Sequence, residues 1–175
     1  MSGVESTGLM EAMAALSYLP LLLAVTSHSP APAPAAASAQ IKAMTACLAV
    51  TRSEVEAAIG QPIGSGKEHK DRATSSCQYD GAEGQVTVSI YRSLVRLNLA
   101  AEIKQLQKSI PDAKIRDVQG LGTRAFFMDM GGIGTQLHII RGDYDYVLVS
   151  VLGFGGASQV SAAAETIARR ALDRF

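Results

Sequence analysis

The sequence predicts an α+β fold: a two-layer sandwich in which an antiparallel sheet of about five strands is covered on one face by helices. Three observations lead there. Short runs alternate apolar and polar residues and are joined by Gly-rich turns. Longer runs carry apolar residues at helical spacing. The order of strands followed by a helix occurs twice, which also suggests a degenerate internal duplication.

The fold is expected to begin only after a leader. Met13 to Val25 is a short apolar run, followed by a tract rich in Pro, Ala and Ser that reaches Gln40. A bilayer span takes ~20 apolar residues, so this run has the length of a signal-peptide core instead. Ala37-Ser38-Ala39 is an A-x-A cleavage site, although no Lys or Arg precedes the apolar run. Residues 1–39 therefore read as signal peptide and leader, and 40–175 as one exported domain, periplasmic or secreted. No transmembrane helix is expected in the mature chain. The alternative is a tail retained on the domain.

Within the domain the first helix carries the clearest signals. Thr51 and Glu54 form a T-x-x-E capping box, Val50 and Val55 stand at the positions of a hydrophobic staple, and Gly60 followed by Pro62 marks the stop. The expected helix is Arg52 to Ile59, with Val55, Ala58 and Ile59 facing the core. Gly64 to Thr74 reads as a polar loop. Two strands, around Cys77 to Asp80 and Gln85 to Tyr91, flank a "GAEG" turn. From Leu97 the period becomes helical, with Leu99, Ile103, Leu106 and Ile110 on one stripe and Pro111 ending it. The second half reads as strand "TRAFFMDM", turn "GGIG" and strand "TQLHII". A type II′ turn at Gly142-Asp143 leads to strand "DYVLVSVLG". Ser158 is the expected cap of a last helix that buries Val160, Ala164, Ile167, Ala171 and Phe175.

Composition narrows the partners. Sixteen basic and sixteen acidic residues cancel, which removes the case for nucleic acid, since that needs a clustered basic face. No cofactor motif is present. "GSGK" at Gly64 to Lys67 has Gln61 where a phosphate loop needs Gly and Glu68 where it needs Ser or Thr. "GLG" at Gly120 to Gly122 precedes a strand, not a helix, and reads as a turn. "RGD" at Arg141 to Asp143 combines residues that favour a hairpin tip for conformational reasons.

Cys47 and Cys77 are the only cysteines. No second Cys or His lies at metal-ligand spacing from either, so no metal site is expected. A catalytic thiolate lacks a marked base. Met44-Thr45-Ala46-Cys47 resembles a degenerate lipobox, but the Pro/Ala tract separates it from the apolar run, so a lipid anchor at Cys47 is the lesser reading. The favoured reading is a structural disulfide between them, since two cysteines in an exported chain usually pair.

Cys47-Leu48, Glu54-Val55, Ile59-Gly60, Cys77-Gln78-Tyr79 and Gly120-Leu121-Gly122 with Ala125 occur in a characteristic order. That order resembles a broad group of small exported bacterial proteins, often lipoproteins, most of them of unknown function. The resemblance implies an extracytoplasmic α+β domain with a disulfide; it supplies no catalytic residues, because the group has no shared chemistry to carry over.

Candidate contact residues are few. Phe126, Met128 and Met130 share one face of an expected strand, and exposed Met and Phe make an adaptable contact surface; the competing reading places them in the core. His138 is expected mid-strand, partly exposed and opposite Val147. His69 reads as a solvated loop residue. The expected function is a non-enzymatic binding domain that contacts a protein partner or a small apolar ligand through a sheet face or the groove beside it. The alternative is a small exported hydrolase with His138 as its base.

Overall fold

Thr51 opens the first full helix as its side chain dictates. In the computed structural model, which describes residues 45–175, a short turn α1 (Ala46–Ala49) leads into α2 (Arg52–Ile59). The expected leader, cleavage site and start at Gln40 lie outside the described residues. The Thr51 hydroxyl accepts from the Glu54 N–H at 3.4 Å, and the Thr51 N–H donates to the Glu54 carboxylate at 2.9 Å. Gly60 then closes the helix in the left-handed conformation, φ +76°, its N–H bonded to the Glu56 carbonyl. Val55 is fully buried. Glu54 has a second role. It receives both terminal nitrogens of Arg174 at 2.6 and 2.7 Å, so one carboxylate caps α2 and ties it to the last helix.

The remaining elements are β1 (Lys67–Lys70), β2 (Thr74–Asp80), β3 (Gln85–Arg92), α3 (Leu99–Ser109), β4 (Lys114–Val118), β5 (Arg124–Asp129), β6 (Gly134–Arg141), β7 (Asp145–Leu152) and α4 (Ala157–Arg174). All pairings are antiparallel, in the order β1-β2-β3-β7-β6-β5-β4. Two meanders thus meet along their last strands.

The sheet has seven strands, not about five. The two extra ones are its edges. Lys67–Lys70, expected as loop, and Lys114–Val118 carry little apolar alternation, and β1 is exposed along its whole length. Backbone pairing and a few side-chain links, such as Lys67 to Asp80 at 2.7 Å, hold such strands, and their charges discourage further strand addition. Gly66 opens β1 because a Cβ there would lie 2.6 Å from Cys77 Sγ and 2.8 Å from the Tyr79 ring. The last helix is capped by Gly156 and Gln159, not Ser158. The Gln159 side chain accepts from the Gly156 N–H at 2.7 Å.

Helices lie on both faces, a second departure from the expected sandwich. On one face α1, α2 and α4 cover a continuous apolar layer. One row runs Cys77, Val88, Val149, Leu137, Phe127 across five strands, and every member is at least 98% buried. Arg116 covers the end of that row, 4.5 Å from the Phe127 ring centre. On the opposite face α3 packs Leu99, Ile103 and Leu106 onto Phe126, Ile140, Ile115 and Tyr146. The strand order places three strands to each side of β7, but the helices are not distributed so evenly.

Cys47 and Cys77 are joined as a disulfide with Cα atoms 4.9 Å apart, across 30 residues. Closing such a loop stabilises a fold by roughly 3.5 kcal/mol in the chain-entropy model. The bond fastens α1 to β2 beside two further links: Ala46 N–H to Ser75 Oγ at 2.8 Å, and the Tyr79 hydroxyl to the Val50 carbonyl.

Thr51→Ala is expected to destabilise the domain by about 1 kcal/mol in urea melts. The same cap sets an acid limit. Arg174 first, and the Thr51 N–H second, hold the Glu54 carboxyl at about 2, below its ordinary 4.5. Its contribution is complete above pH 4.5 and is lost as pH falls toward 2. In Arg174→Ala that loss should shrink, which melts at pH 5 and about pH 3 would show.

Candidate functional site

The face that carries α3 changes character from one side of the sheet to the other. Its residues fall in rows that follow the pairing register. One row runs Phe126, His138, Leu148, Ser89, Ser76; the next runs Met128, Gln136, Ser150, Thr87, Gln78. Toward β5 the rows begin with buried apolar residues, Phe126 beneath α3 and Met128 beside it. Toward β2 they become Ser, Thr and Gln, half-buried, with no helix over them among the described residues. The polar side chains partly satisfy one another: Ser76 and Ser89 hydroxyls lie 2.9 Å apart, and Gln78 donates to Asp80 at 2.7 Å.

Where the two halves meet, beside the start of α3, a groove of about 340 Å³ opens. It is lined by Thr74, Ser89, Tyr91, Leu97, Asn98, Glu102, Ile140, Tyr146 and Leu148. Local sequence explains the placement. Asn98 ends the β3–α3 connection by accepting the Ala101 N–H at 3.2 Å, which starts α3 and brings Glu102 to the groove. In β7, Val147, Val149 and Val151 fill the main core, so Tyr146, Leu148 and Ser150 face the other way. Burial first, and the charge of Glu102 second, raise the Tyr146 phenol above its ordinary range. Tyr146 therefore stays protonated.

His138 lies at the seam between covered and open halves. It is 2% exposed, not partly exposed as expected, and it pairs with Leu148, not Val147. The register differs because the β6–β7 loop has three residues, Gly142 to Tyr144. The carbonyls of Asp143 and Tyr144 accept from Leu97 and Ser93 N–H groups at 2.8 Å, and the Gly142 N–H donates to Thr123 Oγ1. These bonds hold a wider loop than a two-residue turn allows. The His138 ring stacks on Phe126, centres 4.6 Å apart, and its Nδ1 is bonded to the Tyr146 hydroxyl. Nε2 is buried without a partner among the described residues. Burial lowers the His138 pKa to about 4, so the ring is neutral near pH 7.

Phe126 and Met128 are buried, under α3 and in the adjoining row, and offer no surface. Met130 lies just past β5, half-buried in the turn that leads to β6. Cys47 and Cys77 are bonded to each other and stand on the opposite face. His69 is exposed on β1. The Arg-Gly-Asp tripeptide is committed internally. Arg141 stacks over Phe175 at 4.1 Å and bonds its carbonyl, while Asp143 pairs with Arg96 at 2.9 Å. Among the described residues, no group of three or more His, Cys, Asp or Glu is placed to hold a metal ion, and no helix is long and apolar enough to cross a membrane.

Compared with known protein families, with curated proteins and with solved structures, the chain matches none.

The groove residues Tyr91, Glu102, Tyr146 and Leu148 were not singled out from sequence. One signal was available: in "DYVLVSVL" both alternating sets contain apolar residues, which indicates a strand covered at least partly on both faces.

His138 should dominate the pH dependence of stability above the carboxylate range. Its folded pKa, about 4, lies below the ordinary 6.5, so the unfolded chain binds the extra proton between these values. Stability is then complete above pH 6.5 and falls as pH drops toward 4, by at most roughly 3 kcal/mol. His138→Gln, which keeps a hydrogen-bonding group for Tyr146, should flatten the profile in that window. An unchanged slope would place the titrating group elsewhere.

Proposed function

We propose that this is an extracytoplasmic binding module without chemistry of its own, and that it takes a small, largely apolar ligand in the groove beside α3. The observation that carries the reading is the groove itself. About 340 Å³ is at the lower end of small-molecule sites. Leu97, Ile140 and Leu148 supply apolar wall, the Tyr91 and Tyr146 side chains line it as well, and Thr74, Ser89 and Asn98 supply a few orienting polar groups. A mostly apolar concavity with sparse polar groups is the usual composition of such sites. The disulfide supports the compartment, since such bonds persist where conditions are oxidising. The landmark order shared with small exported bacterial proteins points the same way.

A hydrolase using His138 has less behind it. Nδ1 is bonded to Tyr146, Nε2 is buried, and no carboxylate orients the ring. A general base has to reach the proton it removes. This imidazole is packed as a core side chain.

The neutral fluorophore N-phenyl-1-naphthylamine probes the groove directly. Its emission should rise and shift to the blue with one site per chain, and Leu148→Arg should abolish the effect. Leu148 is half-exposed, so the substitution places its charge at the groove without cutting into the main core. Equal probe binding by both proteins, or none by either, would refute the groove as a ligand site.

A further inference from the structure

Resting on that reading, we infer that the groove selects an amphiphile with a cationic head, an alkylammonium type of ligand, over anionic or neutral ones. The lining contains one ionised side chain, Glu102, and no Lys, Arg or His. Glu102 is exposed on the first turn of α3 and takes part in no ion pair among the described residues. The neighbouring arginines are engaged elsewhere: Arg92 with Asp145 at 2.6 Å and Arg96 with Asp143 at 2.9 Å. Two tyrosines, Tyr91 and Tyr146, sit in the same lining and occupy facing positions on β3 and β7. A carboxylate beside aromatic rings is the combination that attracts organic cations, through charge and through the negative faces of the rings.

The opposite preference has one argument, the positive end of the α3 dipole, which also meets the groove at Asn98. That end is partly answered. Asn98 Oδ1 takes the Ala101 N–H, the Asn98 carbonyl takes the Glu102 N–H at 3.0 Å, and the Glu102 charge sits on the same turn. An incoming anion at the remaining N–H groups of Leu99 and Ala100 would also face the Glu102 carboxylate on the same turn. The apolar residues Leu97, Ile140 and Leu148 are left to receive an alkyl chain.

The test is displacement of N-phenyl-1-naphthylamine from the purified protein at low salt by three probes with the same chain: octyltrimethylammonium, octyl sulfate and octanol, each below its aggregation limit. The ammonium probe should displace at roughly fivefold to tenfold lower concentration than the sulfate, the scale of one partly exposed charge contact with a cation–π contribution. Added salt should narrow the gap. In Glu102→Gln the ammonium and sulfate curves should converge while octanol is unchanged. Displacement by octanol with no ammonium preference, or a preference that survives Glu102→Gln, overturns this inference and leaves the groove standing. Failure of all three probes overturns the groove and the inference together.

Discussion

A single helix is too narrow to cover one face of a seven-stranded sheet, and the candidate site follows from that mismatch. Strands spaced about 4.8 Å apart make seven of them roughly 29 Å wide, whereas a helix with its side chains is about 10 Å across. On the main face three helices share the work, α4 against β6 and β7 and α1 against β1 to β3, with α2 beside α4. On the other face α3, with eleven residues, is the only helix among the described residues. Whatever α3 leaves uncovered has to tolerate water. The residues there are Ser76, Gln78, Thr87 and Ser89, whereas those beneath the helix are Phe126 and Ile140. The groove marks the boundary between these two chemistries.

The same boundary accounts for His138. One step toward β5 the row holds Phe126; one step toward β3 it holds Leu148 and then Ser89. An imidazole can stack on the first and still reach a hydroxyl on Tyr146. Burial keeps it neutral, and a partner on only one nitrogen is tolerable for a neutral ring in a way it would not be for a charged one. α3 itself is lightly held. Leu99 is its one buried residue, so most of its attachment is through the half-buried Ile103 and Leu106. A ligand packed against it would add contacts where the fold has fewest.

Much of the architecture was legible because local chemistry and tertiary structure agree. The Thr51–Glu54 box, the Gly60 stop, the α3 stripe, the core strands and the stripe of α4 each carry their own signal. The edge strands were not legible, because β1 has no apolar alternation to read and is held by backbone pairing. The β6–β7 register was missed for a different reason. Gly142 and Asp143 fit a two-residue turn locally, but bonds from Ser93 and Leu97, some fifty residues away in sequence, hold three residues in the loop. The candidate site was the least legible part. Its lining comes from β2, β3, the β3–α3 connection, α3, β6 and β7, and no single stretch contains more than two of its residues in succession. Phe126 and Met128 drew notice as apolar residues, yet both are buried, Phe126 beneath α3.

The central claim is that the half-covered face receives a ligand at the edge of α3. Intermolecular nuclear Overhauser effects from octanol to isotopically labelled methyl groups address it most directly. The account predicts contacts to Leu97, Ile140 and Leu148, and none to Val88 or Val149, which lie on the opposite face beneath the other helices. Contacts confined to the exposed Leu94 and Val95, or to any surface other than the groove, would contradict it.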